Sequence, residues 1–171
     1  MSRQRQAKKE MFDQEKKNGF GGIIAAVLVV AVLAIGGGCF FLFQGASDGH
    51  VMVNSNNGEV RLDINEISDG NAHYFKYASD TGDISFFVIK SVDGVMRAAF
   101  DACDVCYREK KGYRQEATSM VCNNCGMQFR SDLINVVKGG CNPAPLNRRI
   151  EGKQLVINDS DILQGAKYFG G

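Results

Sequence analysis

The sequence predicts a β-rich α+β domain preceded by one transmembrane helix. Three observations predict it: an uncharged apolar run near the N-terminus, short apolar segments separated by turn residues, and five cysteines in the C-terminal part. We therefore divide the 171 residues into a basic tail at 1–19, a membrane span at 20–43, a linker at 44–49 and a cysteine-rich domain at 50–171.

The apolar run from Phe20 to Phe43 contains 24 residues without a charged side chain. At about 1.5 Å per helical residue it would extend roughly 36 Å, enough to cross a hydrocarbon core of about 30 Å. A cleaved signal peptide is the rival interpretation, but the run exceeds a signal core of about 7 to 15 residues. Cys39, within the run, is interpreted as a buried apolar residue. A single-pass protein of the cell membrane is expected.

Charged residues are unevenly distributed, although the formal net charge is only +1. The tail carries six Lys/Arg against three Asp/Glu, and no Lys or Arg occurs from 45 to 60. This asymmetry predicts a cytoplasmic N-terminus and an extracytoplasmic domain. After Ser47 there are 14 basic and 16 acidic side chains without a basic stripe, so nucleic-acid binding is not expected.

Turn residues divide the domain into short β segments. His50–Val53 and Glu59–Ile64 flank an Asn- and Gly-containing turn and are predicted to pair as a hairpin. Ile84–Val92 and Val95–Phe100 bracket Asp93-Gly94, a pair favoured where both turn residues need positive φ, and form the clearest predicted hairpin.

The remaining predicted elements are two β segments and two short helices. His73–Tyr77 and Ile150–Ile157, the latter interrupted by Gly152, are predicted β segments. Ser131–Lys138 and Asp159–Phe169 are predicted helices opened by a capping Ser or Asp.

The chemistry of the domain is concentrated in two CxxC pairs, which predict a cysteine-knuckle metal site. Cys103 and Cys106 form the first pair, Cys122 and Cys125 the second, with 15 residues between the pairs. Each such turn can aim two sulfurs at one ion, so we expect the four to act as one unit. Gly126 fits the tight turn of a rubredoxin-like or zinc-ribbon knuckle. Iron and Zn²⁺ both accept tetrahedral sulfur, which leaves the metal open.

A fifth cysteine, Cys141, follows after 15 more residues and lies between Gly139-Gly140 and Asn142-Pro143. Four sulfurs already complete a tetrahedral ion, so a fifth indicates a larger cluster, a ligand exchange or a redox partner. We expect this loop to bring the Cys141 sulfur toward the metal centre. The alternative is two disulfides and one free thiol, or thiol redox chemistry, in an oxidising compartment.

Other candidate ligands have ordinary interpretations. His50 and His73 stand alone at predicted strand ends and are interpreted as surface residues. Met96, Met120 and Met127 would suit copper(I), but methionine beside an apolar strand is typical of core packing. Hydrolytic chemistry has no support, and neither CxxC opens a helix in a βαβ unit, as thioredoxin-type exchange requires. A redox carrier or metal-binding accessory is therefore favoured over a stand-alone enzyme.

Four segments in a fixed order are more specific than CxxC alone. They are Ala99–Cys106 (AFDACDVC), Lys111–Arg114 (KGYR), Val121–Gly126 (VCNNCG) and Gly139–Pro143 (GGCNP). Together they resemble the FtrD-like family of membrane iron–sulfur proteins. The similarity extends from about Val60 to Phe169, and the predicted anchor lies outside it.

The resemblance implies a membrane-associated protein whose five clustered cysteines hold an iron–sulfur cluster or iron. It also implies an accessory role in bacterial iron transport, passing electrons beside a membrane permease or another redox partner. The other hypothesis is a non-catalytic, zinc-stabilised binding module of a membrane transport complex. A visible absorption spectrum with metal analysis would distinguish the two.

Overall fold

A computed structural model describes residues 49–170, so the predicted tail, the membrane span and the linker up to residue 48 lie outside the described residues. Among residues 49–170, no helix is both long and apolar enough to span a bilayer. The described part is rich in β structure and poor in helix, which agrees with the predicted class of the domain.

Ten strands are formed in this part of the chain. They are β1 (His50–Val53), β2 (Glu59–Asp63), β3 (His73–Ser79), β4 (Gly82–Lys90), β5 (Met96–Phe100), β6 (Tyr113–Glu116), β7 (Ser119–Cys122), β8 (Gln128–Arg130), β9 (Arg149–Glu151) and β10 (Gln154–Asn158). The helical elements are α1 (Asp159–Leu163), α2 (Ala166–Phe169) and 3-10 turns at Ile64–Glu66, Tyr107–Glu109 and Ser131–Leu133.

The strands form three sheets. The central sheet has the order β1-β3-β4-β5, with β1 parallel to β3 and the other neighbours antiparallel. The second sheet has the order β2-β10-β9 and the third β6-β7-β8, both antiparallel.

Strand β4 lies between two hydrophobic cores because its side chains alternate between the two faces of the central sheet. Phe86 and Val88 face the first core, whereas Phe87 and Ile89 face the second. Burying a side chain of this size contributes about 1.5–3 kcal/mol relative to leaving it exposed. Both faces of β4 are therefore apolar, which explains its near-continuous hydrophobic sequence.

The first core packs the central sheet against the β2-β10-β9 sheet. Val60 of β2 and Leu155 of β10 contribute side chains from that sheet, while Ile162 of α1 and Tyr168 of α2 close the end. The buried members of this core include no cysteine.

The second core packs the opposite face of the central sheet against the β6-β7-β8 sheet. Met120 of β7 and Phe129 of β8 pack with Phe87 there. Cys103 and Cys122 are buried members of the same core. The packing of the second core therefore fixes the base of both CxxC turns.

The hairpin predicted from His50–Val53 and Glu59–Ile64 is wrong. Both strands exist, but β1 pairs with β3 and β2 pairs with β10. The alternating pattern of β2 buries Val60 and Leu62 in the first core. Alternation thus specified a face of each strand, but it carried no information about the neighbouring strand.

The hairpin around Asp93-Gly94 is confirmed as β4 and β5, but its turn is wider than predicted. Ser91 N donates to Val95 O at 3.0 Å, and Gly94 N donates to Ser91 O at 2.8 Å. Among these turn residues, only Gly94 has a positive φ, +80°. The connection therefore spans 91–95 rather than two residues.

The helix predicted at Ser131–Lys138 is wrong, because only the 3-10 turn Ser131–Leu133 forms. Asn135 adopts a φ of +61°, which an α-helix cannot accommodate. Its side-chain Nδ2 donates to Leu146 O at 2.8 Å. This bond ties Asn135 to the segment around Leu146 instead of to a preceding helical turn.

The C-terminal elements are close to the prediction. Residues 150–157 form two strands, β9 and β10, because Gly152 at φ +59° turns the chain between them. The helix predicted at Asp159–Phe169 is two short helices, α1 and α2. Gly165 separates them, and a Cβ there would lie 2.2 Å from the Phe100 ring.

Candidate metal centre

The first CxxC turn follows strand β5 directly. Ala144 N donates to Ala102 O at 2.9 Å, which holds the chain as it leaves the sheet. Cys103 is only 1% exposed, and Cys106 N donates a hydrogen bond to Cys103 Sγ at 3.1 Å. This N–H group would partly offset the charge of a thiolate at Cys103.

The second CxxC turn connects β7 to β8. Cys122, the last residue of β7, is 2% exposed. Its N–H donates to Met127 O at 3.0 Å, and its carbonyl accepts from Gly126 N at 2.9 Å. Gly126 has a φ of +73°, as expected of a tight knuckle. Cys125 lies at the exposed tip of this turn.

The loop carrying Cys141 is fastened by Tyr113 of β6. The Tyr113 hydroxyl donates to Cys141 O at 2.7 Å, and the Tyr113 ring is buried in the second core. Asn142 closes the loop, since its backbone N and side-chain Nδ2 both donate to Gly139 O, at 3.2 and 3.0 Å. The Cys141 sulfur lies 3.9 Å from the Cys106 sulfur.

The five sulfurs group as two trios that share one member. In the first trio, Cys103, Cys106 and Cys141, the three sulfurs all lie within 4.8 Å of one another. The same holds for the second trio, Cys106, Cys122 and Cys125. Cys106 belongs to both. The five residues are free thiols, and each trio could hold a metal ion.

The thiols differ in acidity because their surroundings differ. Burial raises the pKa of Cys122 to about 11. Burial, followed by hydrogen bonds with the Cys125 and Cys106 thiols, raises the pKa of Cys141 to about 12. A backbone hydrogen bond from Met127 lowers the pKa of Cys125. Without a metal, Cys122 and Cys141 are thus protonated at neutral pH, and a bound metal would displace their protons.

Asp101 links the first CxxC turn to β6. Its carboxylate accepts a hydrogen bond from Tyr113 N at 2.7 Å. Gly112 permits this approach, because a Cβ at that position would lie 2.3 Å from Asp101 Oδ2. His50 Nε2 also lies near this carboxylate, 3.5 Å from Oδ2. Asp101 therefore connects β1, β5 and β6 beside the cysteines.

A cavity of about 640 Å³ opens beside the cysteines. Cys103, Cys106 and Cys122 contribute to its wall, so the cavity borders both CxxC turns. Its aromatic lining includes Tyr74, whose hydroxyl donates to Tyr113 O at 3.2 Å. Burial raises the pKa of Tyr74 to about 12, so this phenol is neutral at physiological pH.

The donor set fits a thiolate-bound metal. Two sulfurs at about 2.3 Å from one tetrahedral ion would lie about 3.8 Å apart, and Cys106 and Cys141 are 3.9 Å apart. Buried thiolates are costly without a cation, whereas iron or zinc would balance their charge. Cysteine thiolates are also the usual ligands of iron–sulfur clusters, so the residues suit that group as well.

The other predicted ligands are not grouped with the sulfurs. Met96 is buried in the first core and Met120 in the second, as core packing predicted. The core-packing interpretation is wrong for Met127, which is 53% exposed. The surface interpretation of His50 is wrong, since its side chain is 14% exposed and faces Asp101.

Sequence reasoning missed the roles of Asp101 and Tyr113. Asp101 lies two residues before Cys103, and Tyr113 follows Gly112 in the KGYR segment. A signal for both was present, because each belongs to a segment that carried the family resemblance. Their hydrogen bonds connect residues 12 and 28 positions apart in the chain, which spacing alone does not predict.

The fold and the clustered thiols define a small, β-rich, cysteine-centred domain with the donors of a metal-binding protein. The family model described as membrane iron–sulfur containing protein, FtrD-like, matches residues 67–169. The protein belongs to this FtrD-like family, which is membrane-associated and iron–sulfur-containing. The match includes all three cysteine segments.

Comparison with solved structures gives a slight likeness to the quaternary ammonium Rieske monooxygenase CntA, crystallised with an inhibitor. The TM-score is 0.40 at 16% identity, over 58% of this chain and 30% of that one. The chain thus spans less than a third of the monooxygenase. No curated protein matches the sequence.

Proposed function

We propose that this protein is a membrane-anchored electron carrier that serves bacterial iron transport through a cysteine-bound iron or iron–sulfur centre. The proposed ligands are Cys103, Cys106, Cys122, Cys125 and Cys141. The observation that carries the proposal is the convergence of five sulfurs from three separate segments into two overlapping trios. Membership of an iron–sulfur family supports iron over other metals.

The surroundings of the cysteines suit an electron carrier. Cys103 and Cys122 are buried, whereas Cys125 lies at the surface. When bound, an iron centre would supply a site that accepts and releases single electrons. The buried side would exclude water, which influences the reduction potential. The exposed side would bring the centre within reach of a partner, which electron exchange requires.

The proposed location follows the charge asymmetry of the sequence. We place the N-terminus in the cytoplasm and the cysteine domain outside, with a membrane permease or another redox protein as partner. Protease added to intact spheroplasts should then remove the cysteine domain. Protection until lysis would contradict this orientation.

Two alternative functions use the same cysteines. A zinc-stabilised, non-catalytic binding module is favoured by the tetrahedral spacing of Cys106 and Cys141. A thiol-redox protein is favoured by the same contact, since two sulfurs 3.9 Å apart could be joined in a disulfide. Copper(I) would bind thiolates too, but Met96 and Met120 are committed to the cores.

The deciding experiment is anaerobic purification of the full chain in detergent, followed by metal analysis, acid-labile sulfide analysis and visible spectroscopy. Iron with charge-transfer absorption that bleaches reversibly on reduction supports the proposal. A colourless protein with stoichiometric zinc supports the binding module. A metal-free protein in which two thiols are reversibly oxidised to one disulfide supports thiol redox chemistry. Cys39→Ser is the matched control, since it removes a thiol that is not among the proposed ligands.

A further inference from the structure

We propose that Cys106 bridges two metal ions, so that the centre is binuclear. Cys103 and Cys141 would complete the ligands of one ion, and Cys122 and Cys125 those of the other. The inference rests on the proposed metal-binding function and adds the number of metal ions and the distinct role of one cysteine. Its basis is that Cys106 is the one residue common to both trios.

Two ions would use all five sulfurs, whereas one ion would not. A single tetrahedral ion takes four sulfurs and leaves the fifth cysteine without a metal. Two trios with one shared member use all five sulfurs, three for each ion, and leave the fourth position of each ion to another ligand. Besides Cys106, one trio contains Cys103 and Cys141, and the other contains Cys122 and Cys125. The two CxxC pairs therefore lie in different trios, and Cys106 of the first pair also belongs to the trio of the second pair.

Charge gives the same preference. One divalent ion bound by four thiolates would leave a net charge of about −2 beside a protonated fifth thiol, whereas two divalent ions bound by five thiolates would leave about −1. The smaller charge matters here because Cys103 and Cys122 are buried. At the surface beside them, Lys111 Nζ donates to Asn124 Oδ1 at 3.1 Å, which holds one cation next to the second turn.

The backbone around Cys106 fixes it between the two trios. Cys106 N donates to Cys103 Sγ, and Cys106 O accepts from Glu109 N at 3.1 Å. The residue thus ends the first CxxC turn and begins the 3-10 turn Tyr107–Glu109. Its sulfur is 3.9 Å from Cys141, and it also lies within 4.8 Å of Cys122 and Cys125.

Cadmium titration tests the bridge directly. The full chain in detergent is made metal-free, reduced, and titrated anaerobically with ¹¹³Cd²⁺ alone, without sulfide. We expect sulfur-to-cadmium charge-transfer absorption to rise until two equivalents are bound. In the cadmium NMR spectrum, the two resonances should be split by mutual coupling, which requires a shared sulfur between the two nuclei.

Substitutions then test which sulfur is shared. Cys125→Ser and Cys141→Ser each remove one ligand from one trio, so each should lower tight binding from two equivalents to one. Cys106→Ser removes a ligand from both trios and should abolish tight binding of both ions and the coupling. Cys39→Ser should behave as the parent. If Cys106→Ser does not fold, the coupling in the parent protein still decides whether two ions share a sulfur, and loss of only one ion in Cys125→Ser and in Cys141→Ser excludes those two sulfurs as the bridge.

The outcomes separate this inference from the proposed function. No tight metal binding would overturn both. Saturation at one equivalent, or two uncoupled resonances, would overturn the bridge and leave a metal-binding protein. Iron-loaded parent protein with as much acid-labile sulfide as iron would also overturn it, because sulfide would then join the irons. Two coupled cadmium ions that survive in Cys106→Ser would assign the bridge to another sulfur and overturn the role of Cys106.

Discussion

The two faces of strand β4 serve different purposes. Phe86 belongs to a core built from apolar side chains of the central and β2-β10-β9 sheets, without buried cysteines. Phe87, the next residue, belongs to a core that contains Cys103 and Cys122. One strand therefore supports a core that stabilises the fold and a core that positions the candidate metal centre. Stability and metal binding should be separable by substitutions on the two faces.

The largest expected effect is that of Phe86→Ala compared with Phe87→Ala. Both residues are fully buried, so each substitution should cost about 3–5 kcal/mol in the free energy of unfolding. Only Phe87→Ala should also weaken metal binding, because its cavity lies under the cysteines. Urea unfolding of the full chain in detergent and a metal titration of the folded fraction measure the two effects. Equal metal binding by the two variants would contradict the separation of the cores.

A smaller effect is expected within the second core, between its buried and exposed cysteines. Cys103→Ser places a hydroxyl in an apolar site and should destabilise the metal-free protein by about 1–3 kcal/mol. Cys125 lies at the surface, so Cys125→Ser should change the free energy of unfolding of the metal-free protein by no more than about 0.5 kcal/mol. Both should reduce metal content. Urea unfolding of the metal-free variants tests this, and equal midpoints would show that burial of Cys103 has no energetic consequence.

The sequence predicted which cysteines lie close together better than it predicted which strands are neighbours. Cys103, Cys106, Cys122 and Cys125 could be identified because CxxC turns are local, with spacing that nearly determines where the sulfurs point. The pairing of β1 with β3 could not be predicted from the sequence. It depends on how the buried face of each strand packs against residues that are distant in the chain. The membership of Cys106 in both trios could not be predicted for the same reason, because it depends on contact with the Cys141 loop, 35 residues away.

A pair of tyrosines sharpens the comparison between the two cores. Tyr113 lies in the second core and donates to Cys141 O, and Tyr168 lies in the first core and donates to Asp104 Oδ1, both at 2.7 Å. Replacing either with Phe should cost about 1 kcal/mol. Tyr113→Phe should loosen the Cys141 loop, whereas Tyr168→Phe should loosen the first CxxC turn at Asp104, so both should shift the absorption spectrum of the metal-loaded protein. A Tyr113→Phe spectrum that matches the parent would show that the Cys141 loop does not depend on this hydrogen bond.

The smallest expected effect concerns Asp93, in the turn between β4 and β5. Hydrogen bonds from Ser91 and then from Arg97 lower the pKa of its carboxyl to about 2 in the folded protein. A carboxyl with a lowered folded pKa stabilises the fold above its unfolded pKa of about 3.9. This stabilisation is lost as the pH falls from about 4 towards about 2. Asp93→Asn should therefore lower the urea midpoint at pH 7 by a small amount.

The difference between Asp93→Asn and the parent should shrink at acid pH. Because Asp93 is at the surface, salt screens its pairing with Arg97, so the effect at pH 7 should also diminish in high salt. The measurement is the difference in urea midpoint between metal-free parent and variant, from pH 7 down to pH 3. Metal binding at pH 7 should not change, because the turn lies away from the sulfurs. A midpoint difference that stays constant with pH would assign the effect to the lost hydrogen-bond geometry rather than to the charge of Asp93.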